Sequence, residues 1–294
     1  MPRLALALLP VLPLVAACAG APSPPEGAPV PVVLMTDFGL QDDAVGLLRG
    51  VVLARSPWSP VVDLTHAVPA FDVAAGARLL AEAPEVYPPG SVFVVVVDPG
   101  VGTRRRALVA RLASGTLLVG PDNGVLSLAI DRHGPAEVRA LENTRFMRDR
   151  PSDTFHGRDV FAPAAGHLAG GARFEDVGPE VTDWTRLTLP RAARLADGGA
   201  TGVVTSIDEP FGNVWTNVPA DHLEGLEPGA SVAVTVGERR LVATFVRTFG
   251  DVPVGQPLVY VNSRGHAALA INMGDFARTH DVQPGQPVTL RPAR

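Results

Sequence analysis

The densest group of chemically competent residues lies in one loop, residues 98–106. Asp98 directly follows an apolar run, residues 92–97, and Pro99-Gly100-Val101-Gly102 turns the chain ahead of Arg104, Arg105 and Arg106. A carboxylate and several guanidinium groups at the carboxyl end of a strand occupy the place where open α/β sheets bind ligands. A capped turn with a surface ion pair would explain an isolated motif of this kind equally well. The other loops must therefore decide between a ligand site and a purely structural turn.

A second loop of interest, residues 154–159, leads into a helical run over residues 160–168. In this loop His156 precedes a glycine and lies beside Arg158 and Asp159. An imidazole between charges at the start of a helix favours a functional role over buried filler. Asp159 acting as the helix cap and Arg158 as its ion partner is the structural alternative.

The strands and helices that must position these loops indicate an α/β domain. Short apolar strands at residues 31–35, 61–64 and 92–97 alternate with helical patterns at 44–55 and 73–83, which predicts a mainly parallel sheet. Two more strands, 107–112 and 116–119, and a helix from 121–124 through 130 follow. Asp37 ends the first strand, where a carboxylate can hold ribose hydroxyls. Asp42 or Asp43 is expected to cap the first helix.

Beyond residues 190–201 the pattern changes to seven short β-like runs with no convincing helix, which predicts a small all-β antiparallel barrel or sandwich. Residues 208–217 are rich in polar and aromatic groups. Asn213 could pair with an adenine edge, and Trp215 or Phe211 could stack on it, or each could simply belong to a turn. Ser263 and Arg264 suit either a carboxylate ligand or an exposed hairpin tip.

Composition narrows the classes of protein. A chain of 294 residues is long enough for two domains, and its formal net charge of −5 comes without charged blocks, so a small-molecule partner is favoured over nucleic acid. The 30 glycines and 29 prolines are dispersed among apolar segments, which indicates many tight turns. No GxGxxG follows the first strand, and this argues against an NAD enzyme.

The N-terminus predicts export. Residues 1–18 combine Arg3, an apolar run and a small-residue site before Cys18, the only cysteine, as in the signal peptide and lipobox of bacterial lipoproteins. An ordinary cleaved secretory signal is the alternative. Residues 19–30 read as a proline-rich tether. We therefore expect an exported lipoprotein anchored to a membrane by a lipid on Cys18, facing the periplasm or cell envelope, with an α/β domain at 31–190 and a β domain at 201–292.

Taken together, the loops resemble those of the S-adenosyl-L-methionine (SAM) hydroxide adenosyltransferases, the adenosine-forming SAM hydrolases, which are related to fluorinase and chlorinase. The resemblance spans residues 32–290 and is carried by TDFGLQDD, DPGVGTRRR, FHGRDVFAPAA, DEPFGNVWTN and NSRGHAALAIN, in that order. It implies an α/β domain joined to a β-barrel, a homotrimer with sites between neighbouring subunits, and SAM as substrate. A sulfonium leaves as a neutral thioether without help from a metal, and the sequence has no His/Cys or HExxH metal pattern, so we expect no cofactor or metal.

The resemblance also implies roles for individual residues. The catalytic set falls on Asp98, Arg105 and His156. The substrate-binding positions fall on Asp37, Asp42, Asp208, Asn213, Ser263 and Arg264, and we add Asp98 and the stacking candidate Trp215 to this set. The expected reaction is attack of an activated water on ribose C5′, with the proton passing to Asp98 or His156. The halogenases carry an uncharged residue at the position of Asp98, which favours hydrolysis. A halogenase and a non-catalytic SAM-binding protein remain the alternatives.

Overall fold

The computed structural model describes residues 29–134 and 136–293 of the chain. Cys18, the predicted signal peptide and residues 19–28 of the predicted tether lie outside the described residues. Among the residues described, no helix is long and apolar enough to cross a bilayer.

The first part of the chain forms a six-stranded sheet with the order β2-β1-β3-β5-β4-β6. Strands β1, β2, β3 and β5 are parallel, and β4 runs antiparallel to β5 and β6. The strands are β1 (Val32–Thr36), β2 (Val61–Thr65), β3 (Val92–Val96), β4 (Ala107–Arg111), β5 (Leu117–Pro121) and β6 (Glu137–Ala140).

Helices cover both faces of this sheet, as the continuous valine run of β3 predicts. They are α1 (Ala44–Leu53), α2 (Val73–Leu80), α3 (Ala83–Val86), α4 (Ser127–His133) and α5 (Ala162–Ala169). Leu48 of α1 and Ala165 of α5 belong to the core on one face, whereas Leu80 of α2 and Ile130 of α4 belong to the core on the other. Both cores meet at β3, whose residues are all buried.

The second part forms a β-barrel. Its strands are β7 (Ala193–Arg194), β8 (Ala200–Asp208), β9 (Asn213–Pro219), β10 (Ser231–Val236), β11 (Arg239–Phe245), β12 (Pro257–Val261), β13 (His266–Ile271) and β14 (Pro287–Pro292). Pairing of β14 with β8 closes seven strands, and β7 adds to β8 outside the ring. The predicted fold class, an α/β domain with a mainly parallel sheet joined to an all-β antiparallel barrel, is confirmed.

Two details of the barrel differ from the sequence prediction. Strands β11 and β12 pair in parallel, because residues 246–256 carry the chain back to the end where β11 began. A short helix, α6 (Phe276–His280), is present where no helix was predicted. Its five residues are too few to show a helical period, and a cap from Asp275 to the Arg278 N–H supports it instead.

Helix α2 connects the α/β domain to the barrel. The Arg78 guanidinium donates to the carbonyl of Thr205 (3.0 Å), and Arg264 of the barrel donates to the Arg78 carbonyl (3.2 Å). Between the two domains lies a cavity of about 840 Å³.

Candidate active site

Two carboxylates come to one edge of the α/β sheet because neighbouring parallel strands end there. Strands β1 and β3 pair with Thr36 opposite Val96, and the Asp37 N–H donates to the Val96 carbonyl (3.4 Å). Asp37 follows Thr36 directly, and Asp98 follows Val96 by two residues. The predicted ribose-binding and catalytic carboxylates therefore share the carboxyl edge of the sheet, as open α/β folds require of a ligand site.

Arg105 joins the three residues predicted to be catalytic. Its Nε donates to Asp98 Oδ1 (2.9 Å), its Nη2 donates to Asp98 Oδ2, and the same Nη2 lies 2.9 Å from Nδ1 of His156. The Asp98 and Arg105 side chains are only 4% and 9% exposed. The guanidinium also lies 5.1 Å from the centre of the Phe161 ring. Asp98, Arg105 and His156 thus form one compact group with the arginine at its centre.

Close backbone approach brings the two loops together. Gly102 has φ of +75°, and a Cβ there would lie 2.4 Å from the carbonyl oxygen of Asp153. Only glycine tolerates both the conformation and the contact. Residues Gly157–Phe161 form one π-helical turn before α5, an irregularity often found at functional sites. His156 is the residue immediately before this turn.

The electrostatics keep His156 neutral. Burial lowers the pKa of His156, the Arg105 charge lowers it further, and Asp98 opposes both effects. Because a guanidinium can only donate, Nδ1 of His156 must accept the Arg105 hydrogen bond. The ring proton therefore lies on Nε2. In this tautomer His156 can donate a hydrogen bond from Nε2 to a bound molecule.

Asp37 is held from the side by a residue that sequence reasoning missed. Its Oδ2 accepts from the Phe71 N–H (2.9 Å), and Phe71 has φ of +66° and is 72% exposed as a residue. A strained backbone and an exposed aromatic ring beside a candidate binding carboxylate indicate a ligand contact. The sequence gives no warning, because Phe71 lies between the apolar run of the loop and the helix cap Asp72.

The remaining predicted residue of this domain, Asp42, is exposed, and its Oδ1 accepts from the Ala44 N–H (3.0 Å). Asp43 occupies the cap position of α1 but makes no side-chain cap bond. Asp159 is buried and accepts from Arg148, Arg158 and the Ser152 N–H. The expected ion pair of Arg158 with Asp159 is present, but Asp159 lies within the π-helical turn and does not cap a helix.

The predicted binding residues of the barrel form a second group. Asn213 Nδ2 donates to Asp208 Oδ2 (3.0 Å), and the Arg264 guanidinium lies 5.2 Å from the centre of the Trp215 ring. Arg264 is also 3.7 Å from Glu82. Ser263 is exposed in the turn between β12 and β13.

The two groups are separate within one chain. No hydrogen bond or ion pair joins the Asp98 group to the barrel residues in the part of the chain that the structure describes. Asp208, Trp215 and Arg264 line the interdomain cavity, whereas Asp37, Asp98, Arg105 and His156 do not.

Comparisons with known proteins agree with this two-domain fold. Residues 32–178 match the model of the SAM hydroxide adenosyltransferase N-terminal domain, and residues 202–289 match that of the C-terminal domain. The protein is a two-domain SAM-dependent enzyme, and the chain belongs to the SAM hydroxide adenosyltransferase family.

Individual relatives cover almost the whole of the described chain. An (R)-S-adenosyl-L-methionine hydrolase of Salinispora tropica is 43% identical over 262 residues, covering 88% of this chain and 97% of the relative. A fluorinase of an Actinoplanes species is 31% identical, with 92% and 100% covered. The crystal structure of an uncharacterized conserved protein from Thermotoga maritima superposes with a TM-score of 0.84 at 36% identity, covering 88% and 99%.

These comparisons correct one prediction. The expectation of a signal-bearing membrane lipoprotein anchored at Cys18 is wrong in their light, because the hydrolases that match nearly end to end are named as enzymes and not as lipoproteins. The expectation rested on residues 1–18 alone, where a short apolar run with small residues is a weak pattern.

Proposed function

We propose that this protein hydrolyses SAM to adenosine and L-methionine by attack of water on C5′ of the ribose. The observation that carries the mechanism is the single contact network in which Arg105 binds both Asp98 and His156, beside the carboxylate of Asp37. The activity itself is that of the family, and it agrees with the sequence prediction.

The hydrogen bonds support Asp98 as the group that accepts the proton in this proposal. Arg105 occupies one lone pair on each Asp98 oxygen, which leaves further lone pairs free to accept from water. His156 keeps its proton on Nε2 and can only donate to that water. Asp98 is therefore the general base, His156 orients the water, and Arg105 fixes both side chains. A positioned general base contributes about 10² to 10⁴ in rate.

The leaving group needs little help. When water attacks C5′ of SAM, the C5′–S bond breaks and its electron pair goes to the sulfonium sulfur, so methionine departs as a neutral thioether and no proton has to be delivered to it. Nascent hydroxide and sulfonium neutralise each other in the transition state. A site whose Asp98 and Arg105 side chains are almost fully removed from solvent favours such a loss of charge.

The assembly completes the site in this proposal. We propose a homotrimer in which the Asp98 group of one subunit faces the Asn213 and Trp215 group of a neighbour. The separation of the two groups within one chain supports it, as do the exposed rings of Phe71 on one domain and Phe211, 64% exposed, on the other. Light scattering of the purified protein would measure the mass of the assembly, and we expect three times the mass of one chain.

Shared sites make a further prediction for mixed assemblies. Asp98→Asn and Asn213→Ala are each inactive alone, but refolding the two variants together restores part of the activity, because some interfaces combine two intact halves. Unrestored activity in mixtures that do form trimers would contradict sites built between subunits.

The reaction is tested with purified protein and SAM in ¹⁸O-water. We expect adenosine carrying ¹⁸O in its 5′-hydroxyl, together with unlabelled methionine, because the C5′–S bond breaks and water forms the new C5′–O bond. Both sulfonium epimers are supplied, since the relatives are named for (R)-SAM. A 5′-halonucleoside formed in chloride or fluoride would instead show a halogenase, and unchanged SAM bound to the protein would show a binding protein.

A further inference from the structure

A buried histidine outside the Asp98 group lies directly behind the loop that carries Asp37. The His66 side chain is 3% exposed, its Nδ1 lies 2.8 Å from Oγ1 of the fully buried Thr36, and its Nε2 lies 3.1 Å from Oδ1 of Asp63. Arg49 pairs with the other oxygen of Asp63. A chain of polar groups therefore runs from α1 through β2 to the end of β1.

The direction of the hydrogen bonds follows from the donors present. The Thr36 hydroxyl oxygen accepts from the Phe38 N–H (3.2 Å), and because the Asp63 carboxylate opposite Nε2 can only accept, the neutral His66 ring accepts the Thr36 hydroxyl hydrogen at Nδ1. The ring proton is then on Nε2, facing the Asp63 carboxylate. Each group in the chain orients the next, and the chain ends on the backbone directly after Asp37.

His66 also holds the far side of the same loop. Its carbonyl accepts from the Gly39 N–H (2.8 Å), and the Val68 N–H donates to the Thr36 carbonyl (3.4 Å). Residues 36 and 39 are thereby fixed on both sides of Asp37. The bonds involve a buried side chain and the backbone, so they hold the loop whether or not a ligand is bound.

We infer that His66 is a positioning residue that orients the Asp37 carboxylate toward the ribose hydroxyls of the substrate, acting through Thr36. This rests on the proposed function, since Asp37 is a ribose ligand only if a nucleoside binds here. Asp37 binds the ribose equally in the substrate and in the transition state. A misplaced Asp37 carboxylate therefore weakens SAM and adenosine binding and leaves kcat nearly unchanged.

Adenosine binding by calorimetry measures this role. In His66→Leu the Thr36 hydroxyl is left buried without an acceptor, and we expect the adenosine Kd and the KM for SAM to rise about tenfold, with kcat within about twofold of wild type. His66→Asn places an amide near the former Nδ1 and should restore most of the affinity. Thr36→Val, almost isosteric, should reproduce the loss if His66→Leu folds poorly.

Two control experiments distinguish an effect of His66 on the position of Asp37 from a general loss of protein stability. His133, whose Nε2 lies 2.8 Å from the Ala81 carbonyl, is half-buried in α4 away from the loop. His133→Leu should lower the melting temperature without changing the adenosine Kd. In an Asp37→Ala background, His66→Leu should add no further loss of affinity, because the residue through which it acts is gone.

The results can overturn the inference without touching the proposed function. Wild-type affinity for adenosine in His66→Leu and Thr36→Val, or an equal further loss in the Asp37→Ala background, would show that His66 is only a core residue. Absence of adenosine binding and of SAM turnover in the wild-type protein would instead refute the proposed function.

Discussion

Replacing Asp98 with asparagine tests the assignment of the general base. The substitution keeps the shape of the side chain but removes its charge and turns one acceptor into a donor that faces Arg105. Loss of general-base catalysis should lower kcat about 10² to 10⁴-fold, which corresponds to roughly 3–5 kcal/mol in the activation free energy. Loss of the charged hydrogen bonds should lower the free energy of unfolding by about 1.5–3 kcal/mol.

The next arginine in the chain provides the matched control. Arg106 Nε donates to Asp122 (2.8 Å), whose side chain is 5% exposed and also accepts from the Thr185 N–H (2.7 Å). Asp122→Asn therefore changes another buried carboxylate that pairs with an arginine of the same loop but lies outside the Asp98 group, although the Arg106 side chain is 33% exposed. It should lower stability by a similar amount while kcat stays near wild type.

The assay combines adenosine formation by chromatography, SAM binding by calorimetry and thermal unfolding. We expect Asp98→Asn to bind SAM within a few-fold of wild type and to form almost no adenosine. If Asp98→Asn turns over within about tenfold of wild type, or if Asp122→Asn loses as much kcat, the acceptance of the proton by Asp98 is refuted.

Three further predictions follow from the site. Because the pKa of His156 is lowered by burial and by Arg105, the folded state binds fewer protons at His156 than the unfolded state, so its contribution to stability is complete above about pH 6.5. Both this stabilisation and kcat should fall only when the pH drops below about 6.5 and passes through the lowered pKa of His156. A decrease of kcat that already begins above pH 6.5 and is absent in His156→Gln would contradict this. Gly102→Ala should reduce kcat at least tenfold and lower the melting temperature, because the added Cβ meets the Asp153 carbonyl at positive φ; Gly115→Ala, at a similar φ in open space, is its control. Phe71→Ala should raise the KM for SAM several-fold with unchanged stability, and equal KM values would remove Phe71 from the site.

Much of the α/β domain could be predicted because its local signals agree with its burial. The valine run of β3 is buried on both faces, and Asp98 follows it at the sheet edge, as the pattern indicates. The short strand β6 was missed, since only Val138 and Ala140 of its four residues are buried. Four residues with two apolar positions do not distinguish a strand from a loop.

The contact between Arg105 and His156 could not be predicted from local sequence patterns. The two residues are 51 positions apart, and what brings them together is the contact of Gly102 with Asp153 and the π-helical turn after His156. Neither feature produces a periodic pattern of apolar residues that could be recognised in the sequence. Only the resemblance to a family connected the two loops in advance, whereas His66 and Phe71 carried no signal of either kind.

The opposite destinations of Arg105 and Arg106 have a consequence for sequence change in this loop. Adjacent side chains at the start of β4 point to different sides, one toward Asp98 and the other toward Asp122. Deleting one residue between 99 and 104 would bring Arg106 to the place of Arg105 and Ala107 to the place of Arg106, so Asp122 would lose its arginine, whereas inserting one residue would bring Arg104 and Arg105 to the two places. The run of three arginines should therefore make this loop tolerate a one-residue insertion better than a one-residue deletion.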